Sequence, residues 1–515
     1  MRLSNPPALR PGGALVQGNG RAARRVGAAV PELRFALLLI VSVGLLLAIG
    51  RWLRVPHSVV LFAGGLLSAL VPAVFPPIQV DPKVILGLIL PPLLYAGAST
   101  LSVDLLRFAL LRGVAAGMAQ TVLLALVAAT VAGWLLPGLD PVGGLLLGIA
   151  ASVGDTRLLQ ETGQHKHLPR ALMEGFAGQG VGAPIVTVTL FTMLAAAVGE
   201  APPGLGEAAG RFALNLLGGG AIGLALGFGM AEFRRRTGPA TVDVALSLAT
   251  PFAGALLAQA AGLSVPSVVI TAALTIAWRS VDRDTGEAIS SAEARLLERN
   301  VWTQLGTMLS AVLFFLMGRA LPEALGGLEL DPWRVAVVAV ALMLLAPLLQ
   351  STLALATLLL PGARPVPGRD GRPAPRWRAA LAAGFSGGRS VVALAIVLGV
   401  PATVPAGEAY GARQTVLAVT ALLVLLSVLL QWAALPRLVD WAGLGGAAEE
   451  EGERKVAQRV AAEAQEKADA PEEGAAKGRK ALAGLRARDA IGDEARKEAE
   501  QAVEVRARAE ETRPP

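Results

Sequence analysis

Two apolar stretches of this 515-residue chain, roughly 140–161 and 377–400, are long enough to cross a membrane, yet each is interrupted at its middle. The interruptions read Ala151-Ser152-Val153-Gly154-Asp155-Thr156 and Phe385-Ser386-Gly387-Gly388-Arg389-Ser390. A glycine-rich break in a membrane helix frees backbone groups that lipid cannot satisfy, so it persists only where protein or a water-filled cavity surrounds it. The chain is therefore expected to bury both breaks inside a bundle of helices.

The composition agrees with a membrane protein that crosses the bilayer many times. Hydrophobic residues make up 54% of the chain and charged residues only 17%. The net charge of +7 comes from Lys and Arg in short loops, a pattern of membrane orientation rather than of nucleic-acid binding. The absence of cysteine excludes disulfides, iron–sulfur clusters and thiolate zinc sites. We predict no enzyme activity, no cofactor, no metal site and no nucleic-acid partner.

Apolar periodicity predicts an all-α polytopic protein of about thirteen transmembrane helices. The predicted spans lie near residues 33–50, 58–74, 84–100, 108–136, 140–161, 170–199, 211–232, 240–261, 265–279, 301–321, 333–360, 377–400 and 412–440.

Loop charge predicts the orientation. Alternate loops, beginning after the first span, carry most of the Lys and Arg, including Arg51 and the run Arg234-Arg235-Arg236, and positively charged loops stay in the cytoplasm. This places the C-terminus in the cytoplasm and the N-terminus outside, although residues 1–34 hold six Arg that favour the opposite side: Arg2, Arg10, Arg21, Arg24, Arg25 and Arg34. We divide the chain into an N-terminal tail (1–32), a transmembrane domain (33–440) and a charged cytoplasmic tail (441–515), helical or partly disordered.

Two broken spans in corresponding halves predict an inverted-repeat carrier whose substrate site lies between the breaks. Each break leaves half-helix ends at mid-membrane, and a nearby charge of opposite sign stabilises each end. Asp155 offsets the positive N-termini and Arg389 offsets the negative C-termini. An unpaired Arg389 this deep in an apolar span would cost a few kcal/mol, roughly 3 on insertion scales.

Several stretches, in order and spacing, resemble the monovalent cation/proton antiporters, the sodium/proton exchanger family. Leu90 to Tyr95 resembles its LPPLLF segment, Leu147 to Asp155 the stretch that ends at its Thr-Asp-Pro break, and Phe385 to Ala395 its WSGxRGxVSLALA segment. Glu174-Gly175 opens a segment similar to EGxSLLNDG, and Trp302 to Gly318 resembles the helix that ends in LLFLLIG.

The resemblance implies a fold of inverted repeats with two crossed discontinuous helices. It also implies a homodimer in the cell membrane that exchanges a monovalent cation, Na⁺ or K⁺, for protons. The family's Asn-Asp ion-binding pair, however, falls here on Gly180 and Val181, and no acid occurs between Phe176 and Glu200. A shift of one residue places Gln179 at the Asn position.

Dehydrating a cation requires several oxygens and normally an anionic one, and antiport requires a group whose protonation competes with the ion. We therefore predict a transport site formed by Asp155, Thr156, Gln179, Ser386 and Arg389, shaped by the helix-break glycines Gly154, Gly387 and Gly388. If Arg389, together with Arg157, neutralises Asp155, the site carries no net negative charge, and because the usual acid is also missing, two alternatives stay open. One is a carrier of an anion or a neutral solute on the same fold; the other is a transport-inactive membrane sensor or assembly protein.

Overall fold

The computed structural model describes residues 16–53, 55–75, 81–99, 115–155, 170–199, 204–236, 240–279, 292–328, 330–359, 365–369, 372–389, 391–445 and 447–466, with short helical stretches between 474 and 503. In chain order its helices are α1 (Val16–Leu53), α2 (His57–Ala69), α3 (Pro82–Ser99), α4 (Ala115–Leu135), α5 (Pro141–Ser152), α6 (Arg170–Ala196), α7 (Leu205–Arg236), α8 (Ala240–Ala260), α9 (Val265–Arg279), α10 (Ala292–Gly326), α11 (Pro332–Leu359), α12 (Arg376–Ser386), α13 (Val391–Leu398), α14 (Ala412–Ala442) and α15 (Ala447–Glu466). Two short strands, β1 (Gly154–Asp155) and β2 (Gly388–Arg389), interrupt the helices.

The predicted all-α polytopic architecture is confirmed, and each of the thirteen predicted spans contains a helix. Within the described residues, eight helices are long and apolar enough to cross a membrane: α1, α3, α4, α7, α8, α10, α11 and α14. Shorter apolar helices are α2, α5, α9 and the C-terminal part of α6. The remaining span is divided at its break into α12 and α13.

The helices pack as two bundles. The scaffold bundle contains α1, α2, α3, α7, α8, α9 and α10, and the core bundle contains α4, α5, α6 and α11 to α14. The bundles meet mainly where α10 contacts α13 and α14 and where α9 contacts α6. Both breaks lie in the core bundle.

The core bundle contains two similar units, α4–α5–α6 and α11 to α14, whose broken helices run in opposite directions, as in an inverted repeat. In each unit the broken helix lies tightly against the helix before it, at a glycine. A Cβ at Gly148 would stand 2.1 Å from the Ala125 carbonyl oxygen of α4, and one at Gly384 would stand 2.3 Å from the Pro347 carbonyl oxygen of α11. The strands that follow α5 and α12 pair antiparallel, so the two broken helices enter the crossing in opposite directions.

The C-terminal region is attached to the core bundle. The left-handed Gly443 ends α14, and the Arg369 backbone N–H donates to the Gly443 carbonyl at 2.9 Å. The Arg369 side chain, in the loop before α12, pairs with Asp440. Beyond this link, α15 packs with later helical residues around a small core of its own, formed by Ala457, Ala461, Leu482, Ile491, Ala495, Ala499 and Val503.

Candidate functional site

The candidate site is the crossing of the two broken helices. Gly154 pairs with Arg389 and Asp155 pairs with Gly388, so each of the two predicted charges lies opposite a glycine and the two lie diagonally across the strand pair. This strand pair satisfies part of the backbone that the breaks release, as a membrane interior requires. The residues leading into the crossing, including Ala151 and Val153, are fully buried.

Both breaks end their helices in similar ways. The Ser152 hydroxyl donates to the Ile149 carbonyl and the Ser386 hydroxyl to the Ala383 carbonyl, each at 2.7 Å. Such bonds to the preceding turn satisfy the buried hydroxyl. The chain then becomes extended at Val153 after α5, and Gly387 provides the corresponding exit from α12.

The helix ends give the crossing its electrostatic character. The C-termini of α5 and α12 both approach it, and each carries a partial negative charge of roughly half a unit. The N-terminus of α13 begins two residues after Arg389 and carries the opposite sign. Two negative helix ends at one buried point can stabilise a cation or a guanidinium group.

The predicted site residues fall into three groups. Gly154, Asp155, Gly388 and Arg389 form the strand pair, while Ser386 ends α12 and Gly387 is its C-cap. Gln179 lies on α6, which packs against β1. Thr156 lies outside the described residues.

Two glutamines at the second break were missed by sequence reasoning. Gln431 of α14 donates its side-chain amide to the Ser386 carbonyl at 2.7 Å and to the Phe385 carbonyl at 3.4 Å. Gln350 of α11 lies against Gly387, where an added Cβ would stand 2.9 Å from its amide atoms. An amide within a long apolar span is the signal that could have identified both.

A buried ion pair in the scaffold bundle was also missed. Glu298 of α10 binds Arg234 of α7 at 2.6 Å, with side chains 18% and 10% exposed. The same carboxylate accepts from the Ser247 hydroxyl at 2.5 Å, and the Trp302 indole donates to that hydroxyl at 2.7 Å. The predicted span began at residue 301, whereas α10 begins at Ala292 and places Glu298 inside the helix.

The part of the chain that the structure describes holds no cluster of three or more His, Asp or Glu positioned to bind a metal ion.

Crossed, broken helices inside an inverted-repeat membrane bundle define a secondary transporter. The family model described as "Sodium/hydrogen exchanger, transmembrane" matches residues 37–441. The chain belongs to this family of cation/proton antiporters.

Similar proteins support the assignment. An uncharacterized Na⁺/H⁺ exchanger of Mycobacterium tuberculosis is 29% identical over 417 residues, covering 79% of this chain and 73% of its own. An uncharacterized Na⁺/H⁺ exchanger of Escherichia coli is 27% identical over 414 residues, which cover 75% of this chain and 72% of the exchanger. The fold matches the sodium proton antiporter MjNhaP1 of Methanocaldococcus jannaschii with a TM-score of 0.60 and 16% identity, over 80% of this chain and 98% of that one.

Proposed function

We propose that the protein exchanges a monovalent cation, Na⁺ or K⁺, for protons at the crossing of β1 and β2. The observation that carries the proposal is the antiparallel register, in which Asp155 and Arg389 lie diagonally across the strand pair between two helix C-termini. Because the acid usual on α6 is replaced by Val181, Asp155 is the carboxylate assigned to bind cation and proton in turn.

The remaining groups have supporting roles in this proposal. Arg389 offsets the negative helix ends and lowers the net negative charge of the site, while Thr156, Gln179 and Ser386 supply neutral oxygens. Ser386 already donates its hydroxyl proton to Ala383, so its oxygen lone pairs face away from that bond and can accept or coordinate. Gln179 lies on the helix that covers the first break, as Gln431 lies on the helix that covers the second.

A second candidate function is transport of an anion or a neutral polar solute. Two features of the sequence together favour it. Arg389 is retained, and Gly180 and Val181 stand where the family has its Asn-Asp pair. If Arg389 neutralises Asp155, the site carries no net negative charge and a dehydrated cation loses its main stabilisation. A protein that transports nothing, and instead senses or assembles, is the remaining outcome of the test.

The proposal places the protein in the cell membrane with its C-terminal tail in the cytoplasm, in agreement with the loop charges. It divides the chain at residues 32 and 440 into tail, transmembrane domain and charged tail. It also includes a homodimer formed through the scaffold bundle, whose α1 exposes a row of large apolar side chains: Leu37, Ile40, Val41, Leu45 and Trp52.

The deciding experiment is reconstitution of the purified protein in liposomes that enclose a pH-sensitive dye. Gradients of Na⁺, K⁺ and Li⁺ are applied to the native chain, to Asp155→Asn and to Asp331→Asn. Asp331 is the matched control because its carboxylate is exposed at the start of α11, far along the chain from the breaks.

We expect cation-driven proton flux in the native chain and in Asp331→Asn, and none in Asp155→Asn. Flux that survives in Asp155→Asn would remove this carboxylate from the mechanism. A folded native protein that gives no flux with any cation would reject antiport, and flux measurements with anions and neutral solutes would then separate the other two functions.

A further inference from the structure

We propose that Gln431 is a positioning residue for the transport site, because its amide donates hydrogen bonds to the last carbonyl groups of α12 and so stabilises the end of this helix at the second break. A helix that stops in mid-membrane leaves its last carbonyl groups without intrahelical donors. At α12 these include the carbonyls of Phe385 and Ser386, and Gln431 reaches both from α14. This inference rests on the proposed function only in assigning the crossing as the transport site.

The geometry suits a donor with two hydrogens on one atom. The Gln431 Nε2 atom lies 2.7 Å from the Ser386 oxygen and 3.4 Å from the Phe385 oxygen, so one amide group bridges consecutive carbonyls. Gln431 is only 5% exposed, so water does not substitute freely for it. An unsatisfied carbonyl buried at this depth would be unfavourable.

The neutrality of the amide matters for a site that binds ions. A Lys or Arg at this position would satisfy the same carbonyls but would add a positive charge beside the crossing. A glutamine satisfies the carbonyls and leaves the charge balance of Asp155, Arg389 and the helix ends unchanged.

Gln350 supports the same turn from the opposite helix. It lies on α11, and its side chain lies so close to Gly387 that a Cβ there would meet both of its amide atoms at 2.9 Å. The turn between α12 and β2 is therefore held between two glutamines, from α11 and α14. Together they fix where Gly388 and Arg389 begin their pairing with β1.

The test uses two substitutions of nearly the same shape. Gln431→Met removes the donors and keeps the length of the side chain, whereas Gln431→Glu provides a donor only while its introduced carboxyl group is protonated. The matched control is Gln414→Met, at the other end of α14, where Gln414 lies against Gly327. Full-length protein in lipid nanodiscs is examined by hydrogen exchange over residues 383–391, and the same proteins in liposomes are examined for apparent KM and maximal rate.

We expect Gln431→Met to raise the exchange of the Gly388 and Arg389 amides roughly tenfold, as loss of a buried hydrogen bond would. The apparent KM for the cation rises while the melting temperature stays near that of Gln414→Met. Gln431→Glu protects these amides at low pH and loses the protection as the introduced carboxyl group ionises. If the side chain only fills space, exchange in Gln431→Glu at low pH should be as fast as in Gln431→Met, because the protonated carboxyl group then gains nothing from the donor that methionine lacks.

Native exchange and native KM in Gln431→Met would overturn the proposal. If Gln431→Met fails to fold, the pH dependence of amide exchange in Gln431→Glu becomes the deciding measurement. Protection of the Gly388 and Arg389 amides that does not change with pH would then overturn the proposal. The exchange measurement needs no substrate, so a native protein that transports no cation would refute the proposed function and leave this test intact.

Discussion

At the scale of single residues, the Glu298 carboxylate connects three helices of the scaffold bundle. Its bonds to Arg234 and Ser247 join α7, α8 and α10. Arg234 keeps the Asp243 carboxylate at 3.7 Å when Glu298 is replaced, so Glu298→Gln should cost less than the roughly 3 kcal/mol that leaving a buried charge unpaired typically costs. We expect Glu298→Gln to lower the melting temperature in detergent clearly below that of the native protein.

The control for Glu298 is Glu207→Gln, which breaks the exposed pair of Glu207 and Arg211 on α7. Exposed pairs of this kind contribute less than about 1 kcal/mol. Equal melting temperatures for the two variants would show that the buried pair does not hold the scaffold bundle together.

Tyr410 gives a residue-scale prediction that depends on pH. It lies before α14, is 8% exposed, and donates its hydroxyl to both Asp140 oxygens at 3.0 and 3.1 Å. Burial first, and then the charge and hydrogen bond of Asp140, raise the pKa of the Tyr410 phenol above its usual value of about 10. The folded state therefore prefers the neutral phenol, and the resulting stabilisation is complete below pH 10 and is lost as the pH rises through the raised pKa.

The chain contains only two tyrosines, so absorbance of the phenolate can isolate Tyr410 by comparison with Tyr410→Phe. The difference between the two titrations should have its midpoint above pH 10 in folded protein and near pH 10 in denatured protein. A midpoint near 10 in folded protein would mean that the Tyr410 phenol is neither buried nor bonded to Asp140.

The residues that sequence reasoning missed share a physical cause. Sequence predicts where breaks and charges occur, and it placed Gly154, Asp155, Gly388 and Arg389 at the crossing. An amide within an apolar span marks Gln431 as a candidate, but sequence could not assign its role, because that role depends on which neighbouring helix presents unsatisfied carbonyls. That relation exists only after the helices pack.

At the scale of elements, the approach of each broken helix to its neighbour depends on one glycine. Any side chain at Gly148 or Gly384 would collide with backbone of the preceding helix, and overpacking typically costs about 1–3 kcal/mol. We expect Gly148→Ala and Gly384→Ala to shift α5 or α12 and to reduce both melting temperature and transport.

Gly220→Ala and Gly229→Ala on α7 are the controls, since a Cβ at either position meets nothing within 4 Å. They test whether glycine-to-alanine changes in membrane helices are harmful in general. Unchanged melting and transport in Gly148→Ala would contradict the close contact between α4 and α5.

Helix existence was predictable and helix ends were not. Within the described residues, each span identified from apolar length contains a helix, because the bilayer sets a minimum length for each crossing. Apolar length predicted α1 and α10 too short, because helical hydrogen bonding continues beyond the apolar segment. The predicted spans begin at residues 33 and 301, whereas α1 begins at Val16 and α10 at Ala292. The omission of Glu298 followed directly from this shortening.

At the scale of the whole molecule, transport by alternating access requires the core bundle to move against the scaffold bundle. Buried hydroxyls join the two bundles, because Thr189 of α6 lies 2.8 Å from the Ser264 hydroxyl oxygen just before α9. The chain has no cysteine, so introduced pairs can be cross-linked without background. We expect oxidation of Thr189→Cys/Ser264→Cys to stop transport, with activity restored by reduction.

A pair within the scaffold bundle, Gly254→Cys/Val269→Cys, serves as the control because α8 and α9 remain together in a rigid bundle. Its cross-linking should leave transport unchanged. Full activity in the cross-linked Thr189→Cys/Ser264→Cys protein would show that the two bundles do not separate at this contact during the cycle.

The strand pair at the crossing has an evolutionary consequence. Its hydrogen bonds join main chain to main chain, and main chain is the same whatever side chains it carries. A lineage can therefore exchange the side chains around the crossing and inherit the crossing itself intact. In such an architecture the specificity of a transporter can drift faster than its fold.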